Sequence, residues 1–281
     1  MRVHHLNCGT MRPLGGSLID GNPGVLRRGE MVCHCLLVES EQGLVLVETG
    51  IGAQAGVRPN EWLGRPFLAL TGAVISEEET ALSRIEGLGF DPGDVRHIVV
   101  THLDLDHAGG LADFPQATVH VYGTELRALR TPKDLREKTR YRKVQFAHGP
   151  TWRPYEVGGA PWFGFESVRE LDGLPPEILI VPLGGHTRGH AGVAVDTGDG
   201  WLLNAGDAYF HHGELDADPH CPRGIGAFEA VVQTERRARL DNQERLRTLV
   251  RDHGSEVTVF SAHDSTEYHR LEATTSGVAG S

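Results

Sequence analysis

Short apolar runs separated by glycine-rich turns dominate the first hundred positions, a pattern that predicts strands. "CHCLLVES" and "GLVLVETG" are rich in Val and Leu and meet at "EQG", a hairpin signal. Residues 54–75 mix Pro, Gly and Trp without periodicity and read as a long loop or lid. "SEEETALSRIEGLGF" then predicts a helix, with Ser76 as N-cap, Glu79 completing a capping box, and Gly87 and Gly89 ending it. "VRHIVVTH" is a buried strand that carries "THLDLDHAGG", residues 101–110, at its C-terminal end. "ATVHVY" is another strand, 123–145 is mainly helical and charged, and 147–166 is irregular. Three further strands follow in "EILIVPLGGHTRGHAGVAVDTGDGWLLNAGDAYF", turning at "GGHTRGH" and "TGDG". Val231, Leu240, Leu246, Leu249 and Val250 recur at roughly helical spacing, predicting one long amphipathic helix over 226–253. "EVTVFSAH" is the last strand, and the small polar tail 274–281 is expected to fray. Strands alternate with helices, with no internal repeat and no clear linker. One α/β domain over 1–281 is therefore expected, with lid or insertion segments near 54–75 and 123–166.

Composition narrows this picture. The chain has 281 residues, 39% hydrophobic and 23% charged, enough apolar content to bury a proper core. A net charge of −11 argues against nucleic acid as partner, since phosphates are bound through Lys and Arg. The basic stretch "RALRTPKDLREKTRYRK", 127–143, reads as a solvated helical face. No apolar run approaches the ~20 residues that span a bilayer, and the start is unlike a secretory signal, so no membrane association and a cytoplasmic location are expected. Cys8, Cys33, Cys35 and Cys221 are too irregularly placed for a disulfide framework. In "CHC" the two thiols share one strand face as small core residues, with His34 on the other.

The sixteen histidines matter only where several converge. His4, His5, His97 and His120 lie in strand-like stretches and can simply be packed. Others sit at strand ends. His102, Asp104, Asp106 and His107 follow "HIVV", His186 follows "ILIVPL", Asp207 follows "WLLNAG", and His263 follows "VTVFSA". Imidazoles and carboxylates at the C-terminal ends of neighbouring strands can meet in one crevice.

The set "HLDLDH", "GGHTRGH", "NAGDAY" and "SAHDS", with "LVLVETG" before it and "HAGGL" after the first motif, resembles the metallo-β-lactamase-fold hydrolase superfamily. The likeness runs from about residue 30 to 265, and its pattern is most similar to the N-acyl homoserine lactonase branch. It implies a four-layer αββα sandwich of two mixed β-sheets flanked by helices. It also implies two divalent metal ions, Zn first. His102, residue 104 and His186 would hold one ion, Asp106, His107 and His263 the other, and Asp207 would bridge them. Two such ions acidify a shared water, giving a hydroxide that attacks the carbonyl directly. No "GxSxG" nucleophile elbow competes with that reading. His190 reads as a packing residue or a support for His186.

The family usually has His where this chain has Asp104. Three readings stand: the carboxylate coordinates and shifts preference towards Fe or Mn; it falls short and the first position is weak; or that position is lost. The implied substrate is a small molecule with a lactone or other ester-like carbonyl. Asp106 and Asp207 would serve catalysis, and Tyr209 is a candidate donor to the leaving alkoxide, although the family's tyrosine falls one residue later, at Phe210. The histidines of 211–221 line a pocket or a polar loop. Trp62, Trp152, Trp162, Phe163 and Phe165 are candidates for apolar substrate contacts, and a homodimer is allowed. The alternatives are a thioesterase, phosphodiesterase or β-lactamase-like hydrolase, a di-iron redox protein served by a separate flavin partner, and a metal-poor binding protein.

Overall fold

In a computed structural model, which describes residues 1–278 with side chains to Thr274, the strands form two mixed sheets. The first contains β1 (Arg2–Met11), β2 (Met31–Ser40), β3 (Gly43–Val47), β4 (Ala73–Val74), β5 (Val95–Val99), β6 (Thr118–Tyr122) and β7 (Thr151–Tyr155), ordered β4-β1-β2-β3-β5-β6-β7. Pairing is antiparallel from β4 to β3 and parallel from β3 to β7. The second contains β8 (Ala160–Trp162), β9 (Phe165–Glu170), β10 (Ile178–Pro182), β11 (Ala191–Asp196), β12 (Trp201–Asn204) and β13 (Val257–Phe260), ordered β13-β12-β11-β10-β9-β8. There β12 and β13 run parallel and the other pairs antiparallel.

Alternation along the strands explains the layers. Leu36 and Val38 of β2 face Ile178 and Ile180 of β10 in a core between the sheets. Cys35 and Leu37 point the other way, onto Ile85 and Leu126 of the helices α4 (Ala81–Gly87) and α5 (Gly123–Arg130). Leu179 and Val181 of β10 face outward onto Leu246 and Leu249 of α8 (Arg236–His253). Strands buried on both faces read as continuous apolar runs, and each fully buried Leu, Ile or Val stabilises the fold by roughly 1.5–3 kcal/mol. The result is the expected αββα sandwich.

Several local expectations change. Residues 54–75 are not one loop: they form α1 (Gln54–Val57), α2 (Pro59–Trp62) and α3 (Arg65–Thr71), then β4. Proline in the first turn of α2 and α3 has the right φ and needs no N–H there. Helix α4 starts later than predicted: Thr80, not Ser76, is its cap, with Oγ1 accepting the Ser83 N–H at 3.1 Å. The segment 123–166 supplies α5, α6 (Leu135–Arg140), β7 and β8. The long helix over 226–253 is two, α7 (Arg223–Val232) and α8. The break is where Thr234 and Glu235 donate their N–H groups to the carbonyls of Gly185 and His186 instead of continuing the helix. The last helix, α9 (Ser265–Val278), extends into the stretch expected to fray, and 279–281 lie outside the described residues. No described helix is long and apolar enough to cross a membrane.

Candidate metal centre

The candidate ligand residues hang from strand ends that the topology makes neighbours. Parallel β3 and β5 finish side by side, bringing Glu48 to Thr101 and the motif after it. Parallel β12 and β13 do the same for Asp207 and His263. His186 leaves β10 in the same sheet. His102, Asp106, His107, His186, Asp207 and His263 are buried and Asp104 is partly so. All seven are brought together. Asp207 lies in the middle: its Oδ1 is 3.2 Å from both His107 Nε2 and His263 Nε2, and its Oδ2 is 3.2 Å from His186 Nε2 and 3.8 Å from His102 Nε2.

On the second side, the fit to a metal ion is direct. His107 Nδ1 is bonded to Glu48 Oε2, and His263 Nδ1 donates to the Val32 carbonyl at 2.7 Å. When the rings are neutral, both Nε2 atoms therefore present lone pairs, 3.1 Å apart, beside Asp207 Oδ1, which is buried without a hydrogen-bond partner. Ligand atoms about 2.0–2.1 Å from a tetrahedral ion lie about 3.3 Å apart, close to these separations. Asp106 stands behind them, 3.7 Å from His263 Nε2 and 4.0 Å from His107 Nε2. Cys33, Asp106 and His263 form a further group able to hold an ion.

The first side is different. His102, His186 and Asp207 are close enough to share an ion, and His102 Nε2 is buried without a hydrogen-bond partner. Asp104, however, is claimed by an arginine. Arg140 Nε donates to Asp104 Oδ1 at 2.6 Å and Nη2 to Oδ2 at 2.5 Å, while Nη2 also meets His186 Nε2 at 2.6 Å. Asp104 Oδ2 remains 3.1 Å from His186 Nε2 and 3.3 Å from His102 Nε2.

Charge follows this arrangement. Burial opposes ionisation of Asp104, but Arg140, with His102, holds its carboxyl well below the usual range. Burial likewise opposes Asp207, and His263 and His107 outweigh it in the same direction. Burial lowers His102 and His186, with His107 and Arg140 respectively adding to the effect. For His107 and His263 burial is overcome, chiefly by Asp207, and both are raised.

Buried polar residues around the candidate ligands hold them in place. Glu48 is buried at φ 64°, a left-handed conformation unusual for a side-chain-bearing residue, and it accepts the Thr101 N–H besides bonding His107. Buried Glu125 accepts from Leu103 N, Thr187 Oγ1, Gly189 N and Tyr141 Oη, tying both ligand loops to α5. His190 donates Nδ1–H to the Leu183 carbonyl and accepts the Asp207 N–H at 2.9 Å, so it holds the backbone of Asp207 rather than the ring of His186. Glu48 in the "ETG" after β3 and His190 in "GGHTRGH" carried a sequence signal, and Glu125 carried none.

Tyr209 departs from its expected place. Its side chain is buried against the outer face of the second sheet, and Oη donates to Glu267 at 3.0 Å, so it is not aimed among the ligands. Phe210 takes the near position, stacked on His263 at 5.4 Å and 5.8 Å from His186. Of the aromatic residues expected to receive substrate, Trp62, which donates to the Gly109 carbonyl, and Phe165 are core, while Trp152 lies half-buried on the α4–α5 side and Trp162 and Phe163 lie half-buried against the outer core of the second sheet. His211 caps a 3-10 turn, His212 pairs with Asp264 at 2.8 Å, and His220 is exposed.

Comparison with known proteins agrees with this architecture. The family model described as Metallo-beta-lactamase superfamily matches residues 28–250. The "Probable metallo-hydrolase Rv2300c" of Mycobacterium tuberculosis is 43% identical over 268 residues, covering 95% of this chain and 82% of that one. The N-acyl homoserine lactonase AttM of Rhizobium radiobacter is 30% identical over 278 residues, covering 94% and 93%. A solved structure of Bacillus thuringiensis AiiA with N-decanoyl-L-homoserine at its active site superposes with a TM-score of 0.67 at 19% identity, covering 95% of both chains.

Proposed function

The chain belongs to the metallo-beta-lactamase superfamily, and from that premise we propose that it is a metal-dependent hydrolase opening a lactone or related ester. The observation that carries this reading is Asp207, whose two oxygens face two separate groups of histidine lone pairs. His107, His263, Asp106 and Asp207 would hold one divalent ion, Zn first, and His102, His186, Asp104 and the shared Asp207 a second. Bound there, divalent ions supply an ionised water at neutral pH and positive charge for the carbonyl oxygen. The protein's own residues do the rest. Glu48 and the Val32 carbonyl fix His107 and His263 with Nε2 facing inward. Asp106, the least committed carboxylate of the set, takes and returns the proton as the ring opens. Phe210 offers an apolar wall over His263. The lactonase relatives favour a cyclic ester over a thioester or phosphodiester.

A screen of N-acyl homoserine lactones of graded acyl length, with thioesters and phosphodiesters alongside, on Zn-, Mn- and Fe-loaded protein tests this. Ring opening of at least one lactone series, abolished by chelation, is expected. Turnover of thioesters or phosphodiesters alone would replace the substrate class.

A further inference from the structure

The first ion position contains a cation built from the protein itself. The Arg140 guanidinium uses two N–H groups on the two oxygens of Asp104 and aims Nη2 at the His186 lone pair. Its remaining nitrogen, Nη1, donates to the Val232 carbonyl at the end of α7, at 2.6 Å. This is not a surface side chain that happens to fold inward, since only 12% of it is exposed. Helix α6, which delivers it, is fastened to the loop carrying His186: Glu137 takes Arg188 Nε at 2.8 Å and Nη2 at 3.0 Å. Asp134 caps the helix through the Glu137 N–H, and Lys133, just before it, pairs with Glu235. The second position has no such occupant: among the described residues, the ion pairs of Asp106 and Asp207 are all with histidines.

Resting on the metal-dependent reading, we propose that Arg140 is the resident cation of the first position, competing with a divalent ion for Asp104 and His186. The protein then takes up one ion tightly, at His107, His263, Asp106 and Asp207, and a second only weakly. Asp104 and Arg140 are a matched pair in this account. A carboxylate at 104 receives the planar guanidinium fork through both oxygens, a geometry that neither histidine at 104 nor lysine at 140 reproduces. For an ion to enter, Asp104 and His186 must be released from a charge-assisted contact, and a buried guanidinium must find another partner. The second position carries neither cost.

Equilibrium dialysis of the full-length protein against buffered free Zn²⁺, with bound metal counted, tests this without reference to turnover. Wild type should fill one equivalent first and a second only at free Zn²⁺ at least a hundredfold higher. Arg140→Met should bring the second midpoint down at least tenfold and leave the first within threefold. Arg140→Lys, which keeps the charge but not the fork, should bring it down less. Circular dichroism establishes that each variant is folded, and the wild-type isotherm decides even if neither variant is. Two wild-type midpoints within threefold of each other overturn the role of Arg140 and leave the hydrolase reading standing. So does a second midpoint unmoved in folded Arg140→Met. No ion retained at any concentration overturns the metal-dependent reading, and this proposal with it.

Discussion

At the scale of single residues, the structure separates side chains that converge on the candidate site from neighbours that resemble them in sequence. Tyr209 stands two positions after Asp207, yet its hydroxyl is spent on Glu267 in the core. Tyr209→Phe should therefore change lactone turnover less than threefold while costing about 1–2 kcal/mol in a denaturant titration, because a buried acceptor loses its donor. Burial, then Asp264, raises Glu267 from 4.5 to about 8. The folded protein thus keeps a proton that the unfolded chain releases. That stabilisation is complete below pH 4.5 and disappears as pH rises through about 8. Glu267→Gln should flatten the fall in stability over this window, and an unchanged slope would assign the titration elsewhere. The candidate ligands themselves were legible because each stands within a few residues of a strand end. Arg140 was not. It belongs to a basic stretch whose charges suggest a solvated face, and nothing in the order of residues marks which arginine turns inward. Asp104 pointed to something unusual, but the missing information was its partner, 36 residues away.

At the scale of elements, most strands were readable from apolar runs, whereas helix limits depended on contacts that no local pattern records. The helix over 226–253 divides because two backbone N–H groups near residue 234 serve the His186 loop. That loop is held closely from the other side as well. A Cβ on Gly189 would fall 2.0 Å from Glu125 N and 2.5 Å from Glu125 Cα, backbone atoms at the start of α5 that cannot swing aside. Gly189→Ala should accordingly cost about 1–3 kcal/mol in stability and loosen ion retention, since His186 moves with the loop. Gly56 in α1 makes the contrast: a Cβ there meets nothing within 4 Å, and alanine should stabilise the helix slightly or leave it unchanged. Similar losses from both substitutions would show that backbone packing at Gly189 is not what positions the loop. The "GGHTRGH" motif thus joins a ligand to the glycine that lets its loop approach α5, and only the ligand half is visible in the sequence.

At the scale of the whole molecule, the candidate ligands are divided between the sheets. His102, Asp104, Asp106 and His107 leave β5 in the first, whereas His186, Asp207 and His263 leave β10, β12 and β13 in the second. The apolar core between the sheets holds them face to face elsewhere, but at this edge the facing groups are imidazoles and carboxylates, which oppose contact unless protons or a cation lie among them. An ion bound there would therefore act as a bond between the sheets as well as in the proposed chemistry. An ion present at about a thousand times its Kd adds about 4 kcal/mol to the folded state, and for a chain of this size that corresponds to a melting-temperature change on the order of 10 °C. Prolonged chelation should lower the melting temperature by that order, and restoring Zn²⁺ should recover it. Asp207→Ala removes the carboxylate that faces both groups and should melt at one temperature with or without chelator. A wild-type melting curve that does not respond to verified metal removal would mean that the sheets are held by their cores alone. In that case the convergence of seven ligands would serve chemistry only, with no share in holding the fold together.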